Sequence, residues 1–312
     1  MSQKLVSPQM SKLLDKIRRA DRPAFHTMTA QQARQAYQSA SKVLELPRAA
    51  LVRVENLQLP AGDGAWLNAR LYAPSRDVLP VCLYLHGGGF TIGNLEPHDR
   101  LCRQIALRSG AAVLALDYRL APEHGFPCAV EGSCAALKWL EGHAAALGLD
   151  ASRLAVAGDS AGGTLAAVAA LHARDIGLRL LITPGAAAHA DTPSHALFAN
   201  GFLLEAEGIA WFFDQYIDRA QRGDWRFAPL HADDVEGVAP ACVVLAECDP
   251  LVDEGLACAD KLRAAHVPVE LELYRGVTHD FMKLGRALPE APAAQAVVGA
   301  ALKAAFQRED RT

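Results

Sequence analysis

The sequence predicts an α/β protein with three layers, in which helices cover both faces of a mostly parallel sheet. Short, almost wholly apolar runs recur along the chain, and helical segments lie between most of them. Apolar runs that alternate with helices are typical of parallel strands that are buried on both faces. The length of 312 residues, 51% of them hydrophobic, is enough for one large core and a small accessory region.

Eight strands are predicted. The first two form an antiparallel hairpin, residues 51–59 and 65–72, around the turn-forming Ala-Gly-Asp-Gly at residues 61–64. Apolar runs then predict central strands at residues 81–85, 111–116, 154–157, 178–182 and 242–246. The last predicted strand, residues 269–274, alternates polar and apolar side chains, which is typical of a sheet edge.

Two regions outside the sheet are predicted to be helical. Apolar positions at helical spacing indicate helices over residues 8–20 and 29–44, before the first strand. An aromatic-rich segment at about residues 186–228 then interrupts the alternation of strands and helices. We expect it to form a lid at the carboxyl edge of the sheet, where open α/β sheets bind ligands, although a longer connecting helix is an alternative. The predicted division is cap helices at 1–48 and a main domain at 49–312.

The composition argues against nucleic acid and membranes as partners of this protein. The formal net charge of −4 provides no basic surface for nucleic acid or an anionic membrane. The seven cysteines are widely spaced and form no C-x-x-C motif, so we expect reduced, mostly buried thiols. The first residues lack the apolar core of a signal peptide, and no apolar run is long enough to span a bilayer. We therefore expect a cytoplasmic protein with no stable membrane association.

A glycine-flanked serine is the strongest chemical signal. Residues 154–163 run from an apolar strand through Gly-Asp-Ser-Ala-Gly into a predicted helix. Glycines at 158 and 162 let a strand and a helix close around a sharp turn, which exposes the hydroxyl of Ser160. The sequence therefore predicts a nucleophile at Ser160, whereas an ordinary serine N-cap is the alternative interpretation.

A serine nucleophile needs a base and an orienting acid. His279 is the candidate base because it immediately follows the last predicted strand, on the same sheet edge as Ser160. Asp249 is the first carboxylate after the preceding strand, so it is the candidate acid. Asp253 and Glu247 are weaker candidates, and a helix N-cap is the alternative role for Asp249.

A glycine cluster follows the first central strand. The sequence His-Gly-Gly-Gly-Phe at residues 86–90 places unblocked N–H groups where an oxyanion could be bound. The N–H of Ala161, immediately after the candidate nucleophile, is predicted to join them. A tight loop without chemistry is the alternative interpretation.

In combination these motifs resemble the bacterial branch of the hormone-sensitive-lipase family, also called family IV carboxylesterases, within the α/β-hydrolase superfamily. The resemblance extends over nearly the whole chain from residue 50 onward. It rests on His-Gly-Gly-Gly-Phe at 86–90, Asp-Tyr-Arg-Leu-Ala-Pro-Glu-His at 117–124, Gly-Asp-Ser-Ala-Gly-Gly at 158–163, Asp-Pro-Leu-Val-Asp-Glu-Gly at 249–255 and His279.

The resemblance implies an α/β-hydrolase fold with a helical cap, and a site that uses no metal or organic cofactor. It implies a nucleophile, an acid and a base at Ser160, Asp249 and His279. It also implies oxyanion-binding N–H groups at Gly88, Gly89 and Ala161, and supporting roles for His86, Gly87 and Asp159. Three residues depart from the family pattern, namely Asp280 in place of glycine, Val252 in place of a frequent arginine and Cys128 in place of alanine.

The implied activity is hydrolysis of small, short-chain carboxylic esters through an acyl-enzyme. An amidase, lactonase or deacetylase with the same triad is an alternative, because function depends on the pocket. A non-catalytic ligand-binding protein of this fold is a further alternative, which the presence of His279 disfavours. Finally, the exposed edge predicted at residues 269–274, with Glu270 and Glu272 on one face, leads us to expect a homodimer through that edge.

Overall fold

The computed structural model describes residues 5–307. Residues 1–4 of the predicted cap and 308–312 of the predicted main domain lie outside the described residues. Eight strands occur within the described range, and all of them join one sheet. They are β1 (Arg53–Pro60), β2 (Trp66–Ala73), β3 (Leu79–Leu85), β4 (Ala112–Asp117), β5 (Leu149–Asp159), β6 (Leu178–Ile182), β7 (Ala241–Cys248) and β8 (Val269–Thr278).

The strands lie in the order β1-β2-β4-β3-β5-β6-β7-β8. β2 pairs antiparallel with β1 and β4, and every other neighbouring pair is parallel. The prediction of a mostly parallel eight-stranded sheet that begins with an antiparallel hairpin is therefore confirmed. The prediction that the last strand lies at an edge is confirmed as well, since β8 is the final strand of the order.

Two strands are longer than their apolar runs indicated. β5 begins at Leu149 rather than at residue 154, because Leu149 and Asp150 pair with the start of β3 before the register shifts. β8 continues to Thr278, which pairs with Cys248 of β7 beyond an irregularity. The extension of β8 carries the backbone directly to His279.

Nine α-helices occur within residues 5–307, and five of them cover the two faces of the sheet. Alternate residues of the central strands enter different cores, so that Leu83 packs into one and Tyr84 into the other. The first core is covered by α4 (Cys128–His143), α5 (Ala161–His172) and α8 (Val252–Ala264). The second is covered by α3 (Leu95–Ser109) and α9 (Glu290–Gln307). This is the predicted three-layer arrangement.

The two predicted N-terminal helices are present as α1 (Pro8–Arg19) and α2 (Ala30–Leu44). Both begin at side-chain caps, because Ser7 Oγ accepts from Met10 N, and Thr29 forms a capping box with Gln32. Such caps satisfy N–H groups that the first helical turn leaves without partners.

The aromatic-rich segment between β6 and β7 contains α6 (Pro193–Leu197) and α7 (Ala206–Tyr216), together with short 3₁₀ turns. The alternative of one longer connecting helix is therefore wrong. α7 packs against the N-terminal segment in a small apolar cluster that contains Phe25, Ala33 and Phe212. The boundaries proposed for the cap and main domain remain a prediction.

Neither a membrane-spanning helix nor a metal-binding cluster is found within residues 5–307. None of the described helices combines the length and the apolar character needed to cross a bilayer. In the same part of the chain, no three side chains among His, Cys, Asp and Glu are grouped so that they could hold a metal ion. All seven cysteines are free thiols.

Candidate active site

Ser160 lies in a sharp turn between the end of β5 and the start of α5. Its backbone adopts φ 54° and ψ −123°, which is strained for a residue with a side chain. The turn is held because Ser160 N donates to Ile182 O at 2.8 Å. A Cβ atom at Gly162 would lie 1.9 Å from Leu85 O, so that only glycine lets α5 approach β3 this closely.

Three side chains from the ends of β5, β7 and β8 meet at one edge of the sheet. His279 Nε2 lies 2.9 Å from Ser160 Oγ, and His279 Nδ1 lies 2.7 Å from Asp249 Oδ2. The Asp249 and His279 side chains are almost fully buried, whereas Ser160 is half-buried. The serine, histidine and aspartate singled out from the sequence therefore form one continuous hydrogen-bonded chain.

The two carboxylate oxygens of Asp249 bind different partners, a backbone N–H and the His279 imidazole. Its Oδ1 accepts from Leu251 N at 2.9 Å, while Oδ2 contacts the imidazole. The interpretation of Asp249 as the N-cap of α8 is wrong, because α8 begins at Val252 and Leu251 is its N-cap. The turn bond instead fixes the orientation of the carboxylate toward His279.

The two weaker acid candidates contact other groups. Asp253 Oδ2 accepts from Ser194 N at 2.8 Å. Glu247 Oε2 accepts from Gly276 N at 2.8 Å. Both carboxylates therefore stabilise neighbouring loops, and neither is the partner of the imidazole.

The surroundings of His279 favour its protonated form. Burial alone would lower its pKa, but the adjacent carboxylate of Asp249 outweighs burial and raises the pKa above the ordinary value of 6.5. Asp280 raises it further and Lys283 opposes this effect. An imidazole in such a setting is well placed to accept a proton from Ser160.

The glycine loop after β3 presents free backbone donors. Gly88 and Gly89 have φ values of 126° and 56°. In the range 5–307, the N–H groups of Gly88, Gly89 and Ala161 donate to no backbone or side-chain oxygen. Gly87 differs, since its N–H donates to Asp159 Oδ1 at 2.9 Å. The three free donors are those that the sequence indicated for an oxyanion.

His86 belongs to the packing that supports this loop. Its ring stacks on Tyr118 with the centroids 4.3 Å apart, and Tyr118 Oη donates to His86 O at 2.7 Å. His86 Nδ1 lies 2.9 Å from Gly87 O. Burial lowers the pKa of His86 to about 3, so that its imidazole is neutral at physiological pH.

Asp159 anchors the glycine loop to the nucleophile turn. Its carboxylate accepts from Tyr84 Oη at 2.6 Å and from Gly87 N at 2.9 Å. His98 Nε2 lies 3.3 Å and Lys283 Nζ 3.7 Å from its other oxygen. Burial alone would raise the pKa of Asp159, but His98 and Lys283 hold it far below its usual range.

Known proteins resemble this chain in sequence and in structure. A family model described as the alpha/beta hydrolase fold matches residues 82–283. The ethyl acetate hydrolase of Pseudomonas putida is 40% identical over 290 residues, which cover 89% of this chain and 91% of that protein. The carboxylesterase NlhH of Mycobacterium tuberculosis is 41% identical over 249 residues, covering 76% and 78% respectively.

Solved structures agree with these relatives. An ester hydrolase from the metagenome of Lake Arreo superimposes with a TM-score of 0.93 at 36% identity, covering 97% of this chain and all of that one. The chain belongs to the α/β-hydrolase family, in its hormone-sensitive-lipase-like branch. It is a carboxylic ester hydrolase, and enzymes of this family act on small-molecule esters.

Residues of α2 and α7 contact the glycine loop after β3 and the residues that follow it. A Cβ atom at Gly89 would lie 2.2 Å from Phe212 Cγ, so that the Phe212 ring packs directly against the loop backbone. The Phe25 and Phe212 ring centroids are 6.4 Å apart. From α2, Arg34 donates to Thr91 O at 2.8 Å. These contacts were not predictable from the sequence, because they join segments that are distant along the chain.

A second buried cluster fixes the inserted part of the cap. Glu254 accepts from Ala186 N at 2.6 Å and Ala187 N at 2.8 Å, and its Oε1 lies 2.7 Å from His195 Nε2. Burial raises the pKa of Glu254 to about 7. Glu254 was missed as a functional residue, although the motif at 249–255 contains it. It ties the start of the insertion to the helix that follows Asp249.

The three departures from the family pattern have different surroundings. Asp280 adopts φ 64°, a conformation that glycine adopts freely and that aspartate tolerates better than most residues. Its Oδ1 lies 3.1 Å from Lys283 Nζ. Val252 is the first residue of α8 and Cys128 the first residue of α4. Asp280 is adjacent in sequence to His279, and Val252 N donates to Asp249 O at 3.1 Å.

Proposed function

We propose that this enzyme hydrolyses short-chain carboxylic esters with Ser160 as nucleophile, His279 as general base and Asp249 as the orienting acid. The observation that supports the proposal is the unbroken path from Ser160 Oγ through the imidazole to the Asp249 carboxylate. Its spacing is that required for proton transfer from a serine to a histidine.

The first half of the reaction forms the acyl-enzyme. Ser160 Oγ attacks the ester carbonyl carbon while His279 Nε2 takes the hydroxyl proton. Asp249 holds the imidazole tautomer and stabilises the imidazolium. The carbonyl oxygen becomes an oxyanion that accepts from the N–H groups of Gly88, Gly89 and Ala161. By analogy with measured oxyanion holes, each donor contributes about 3 kcal/mol to transition-state stabilisation.

The second half returns the enzyme to its starting state. The tetrahedral intermediate collapses, the C–O bond to the alcohol breaks, and His279 gives its proton to the leaving oxygen. A water molecule then donates a proton to His279 and attacks the acyl carbon. Collapse of this second intermediate releases the carboxylic acid and returns the proton to Ser160. The residues named supply every proton transfer, so that the proposed reaction uses no cofactor.

Contacts of the cap support a preference for short acyl chains. The Phe212 ring packs on Gly89, and Phe25 lies beside it, so that bulky rings border the oxyanion loop. Walls of this kind restrict the room available for a long chain. The names of two relatives, an ethyl acetate hydrolase and an acetyl esterase, also support short acyl chains.

The variant S160A tests the proposal on p-nitrophenyl acetate and butyrate. Loss of the nucleophile should lower turnover by about a thousandfold or more. S152A, which removes an exposed serine hydroxyl remote from His279, is the matched control and should keep wild-type turnover. An S160A variant that retains a tenth of wild-type activity would contradict the proposal. Anilides and lactones of matched acyl length, assayed in parallel, test the amidase and lactonase alternatives.

A further inference from the structure

A buried lysine, Lys283, lies beside the candidate active site. Its side chain is only 7% exposed. Its Nζ lies 3.1 Å from Asp280 Oδ1 and 3.7 Å from Asp159 Oδ2. It also donates to Tyr37 Oη and lies 3.4 Å from His98 Nε2. One ammonium therefore has two carboxylates, a phenol and an imidazole around it.

The ammonium of Lys283 remains charged despite its burial. Burial alone would lower its pKa, but Asp280, Tyr37 and Asp159 outweigh burial and raise the pKa well above 10.5. A buried ion pair is a costly way to gain stability, because well-packed apolar side chains usually stabilise a fold as well or better. A charged group at this position therefore calls for a reason other than packing.

The two carboxylates that contact Lys283 are adjacent in sequence to the proposed nucleophile and base. Asp159 immediately precedes Ser160, and Asp280 immediately follows His279. The ammonium consequently joins the turn that carries the nucleophile to the loop that carries the base. The distance between these two segments matters for rate, since a misplacement of about 1 Å can lower turnover by about a hundredfold.

The third contact of Lys283 reaches the cap. Tyr37 is part of α2, and its hydroxyl accepts from Lys283 Nζ. The Tyr37 ring also packs edge-on against Phe25 with the centroids 6.3 Å apart. Phe25 in turn lies beside Phe212, which covers the oxyanion loop. The same ammonium is thus linked through side-chain contacts to the Phe212 ring, which packs on Gly89.

We propose that Lys283 is a positioning residue for ester hydrolysis: its ammonium, held between Asp159 and Asp280 and closed by Tyr37, fixes Ser160 and His279 at their working distance. This inference rests on the proposed roles of Ser160 and His279. It adds Lys283, a residue that does not touch the substrate. Lys283 acts through the two backbone segments that carry Ser160 and His279.

The ion pairs of Lys283 with Asp159 and Asp280 also influence the electric field at the imidazole of His279. The charged groups that face His279 are Asp249, Asp280 and Lys283. The titratable groups that face Lys283 are Asp159, Asp280, His98, Tyr37 and Glu45. Asp280 favours the imidazolium and Lys283 disfavours it. Loss of the Lys283 charge should therefore raise the pKa of His279, and loss of the Asp280 charge should lower it.

The experiment compares the pH dependence of kcat/KM for K283M, D280N and the double variant K283M/D280N on p-nitrophenyl acetate. K283M should lower kcat by about tenfold to a hundredfold with little change in KM. The acidic limb of the kcat/KM profile of K283M should move to higher pH by about half a unit or more. D280N should move the limb to lower pH, and the double variant should return it toward the wild-type position. K261M, in which a lysine that donates to Leu230 O is replaced, is the control and should match the wild type.

The outcomes separate positioning from structural support. A K283M enzyme whose kcat and acidic limb equal those of the wild type would overturn the proposal. So would a loss of activity that only follows the folded fraction measured by circular dichroism. If K283M does not fold, D280N decides, because the Asp280 side chain is 30% exposed and its replacement is better tolerated. An acidic limb of kcat/KM that does not move in D280N would overturn the proposal. An active S160A enzyme would instead refute the nucleophile, whatever Lys283 does.

Discussion

In the proposed mechanism, His279 determines the pH dependence of ester hydrolysis. The neutral imidazole accepts the proton of Ser160, so that protonation of His279 before the reaction removes activity. Burial would lower the pKa of His279, and Asp249 reverses this effect. Because the pKa is raised, activity should be complete above it and should be lost as the pH falls through a value higher than the ordinary 6.5.

The variant D249N isolates the contribution of the carboxylate. Without its charge the pKa of His279 should fall, so that the acidic limb of kcat/KM moves to lower pH. The wrong tautomer becomes available as well, and kcat should fall by about ten-thousandfold. D253N is the matched control, because Asp253 contacts Ser194 and not the imidazole. A D249N limb at or above the wild-type position would refute this account of the imidazole.

The sequence predicted individual residues well where a local motif places them. Ser160 was identifiable because glycines surround it at a strand-to-helix junction, and His279 because it directly follows a strand. Lys283 and His98 were not identified, since no local motif marks them. Their contacts with Asp159 depend on how α3 and the loop after β8 pack, and a single sequence does not specify that packing.

Among the helices of the segment between β6 and β7, α7 packs directly against the glycine loop. It follows β6, and its Phe212 ring packs against Gly89 of the oxyanion loop. The adjacent Phe213 ring packs against Phe227 instead, with the centroids 4.9 Å apart. Two neighbouring phenylalanines of one helix therefore differ in their position relative to the active site, which provides a matched pair for mutation.

The variant F212A should widen the range of acyl chains that the enzyme hydrolyses. Removal of the ring opens space beside the oxyanion loop, so that kcat/KM for p-nitrophenyl octanoate should rise relative to that for the acetate. F213A should lower stability without changing this ratio, because the partly buried Phe213 ring packs on Phe227 and not on the glycine loop. Equal ratios in F212A and wild type would show that α7 does not limit chain length.

The pattern of elements was predictable to different degrees. Apolar runs identified the five central strands, because burial on both faces leaves few polar residues in them. The first two strands were identified by the turn signal between them, and the last strand by its alternation of polar and apolar residues. The first residues of β5, 149–153, were not predicted, since pairing with β3 and not composition makes them part of a strand. The helices of the inserted segment were indicated only as a lid, because tertiary contacts such as those of Glu254 with Ala186 and Ala187 fix them.

At the scale of the whole molecule, the sheet is what brings distant residues together. Ser160, Asp249 and His279 follow β5, β7 and β8, which run parallel and end at the same edge. The carboxyl edge of such a sheet is where open α/β folds bind ligands. The order of the strands therefore explains how three residues that are remote in sequence come within hydrogen-bonding distance.

We propose a homodimer that forms through β8, the last strand of the sheet. Leu273 on this strand is 41% exposed, and an unpaired edge with an exposed apolar side chain favours pairing with a second copy. Light scattering at micromolar concentration should give twice the chain mass of 33.3 kDa. The variant L273K should lower that mass toward one chain. A wild-type protein that is monomeric under these conditions would refute the dimer.

The central claim is that His279 activates Ser160 for attack on a carbonyl. Reaction with a fluorophosphonate, followed by mass spectrometry of the intact protein and its peptides, tests this most directly, because such probes modify an activated serine. The account predicts one adduct, on Ser160, whose rate of formation falls with decreasing pH along the acidic limb of kcat/KM. An unmodified Ser160, or an adduct that forms equally fast in an H279A variant, would contradict it.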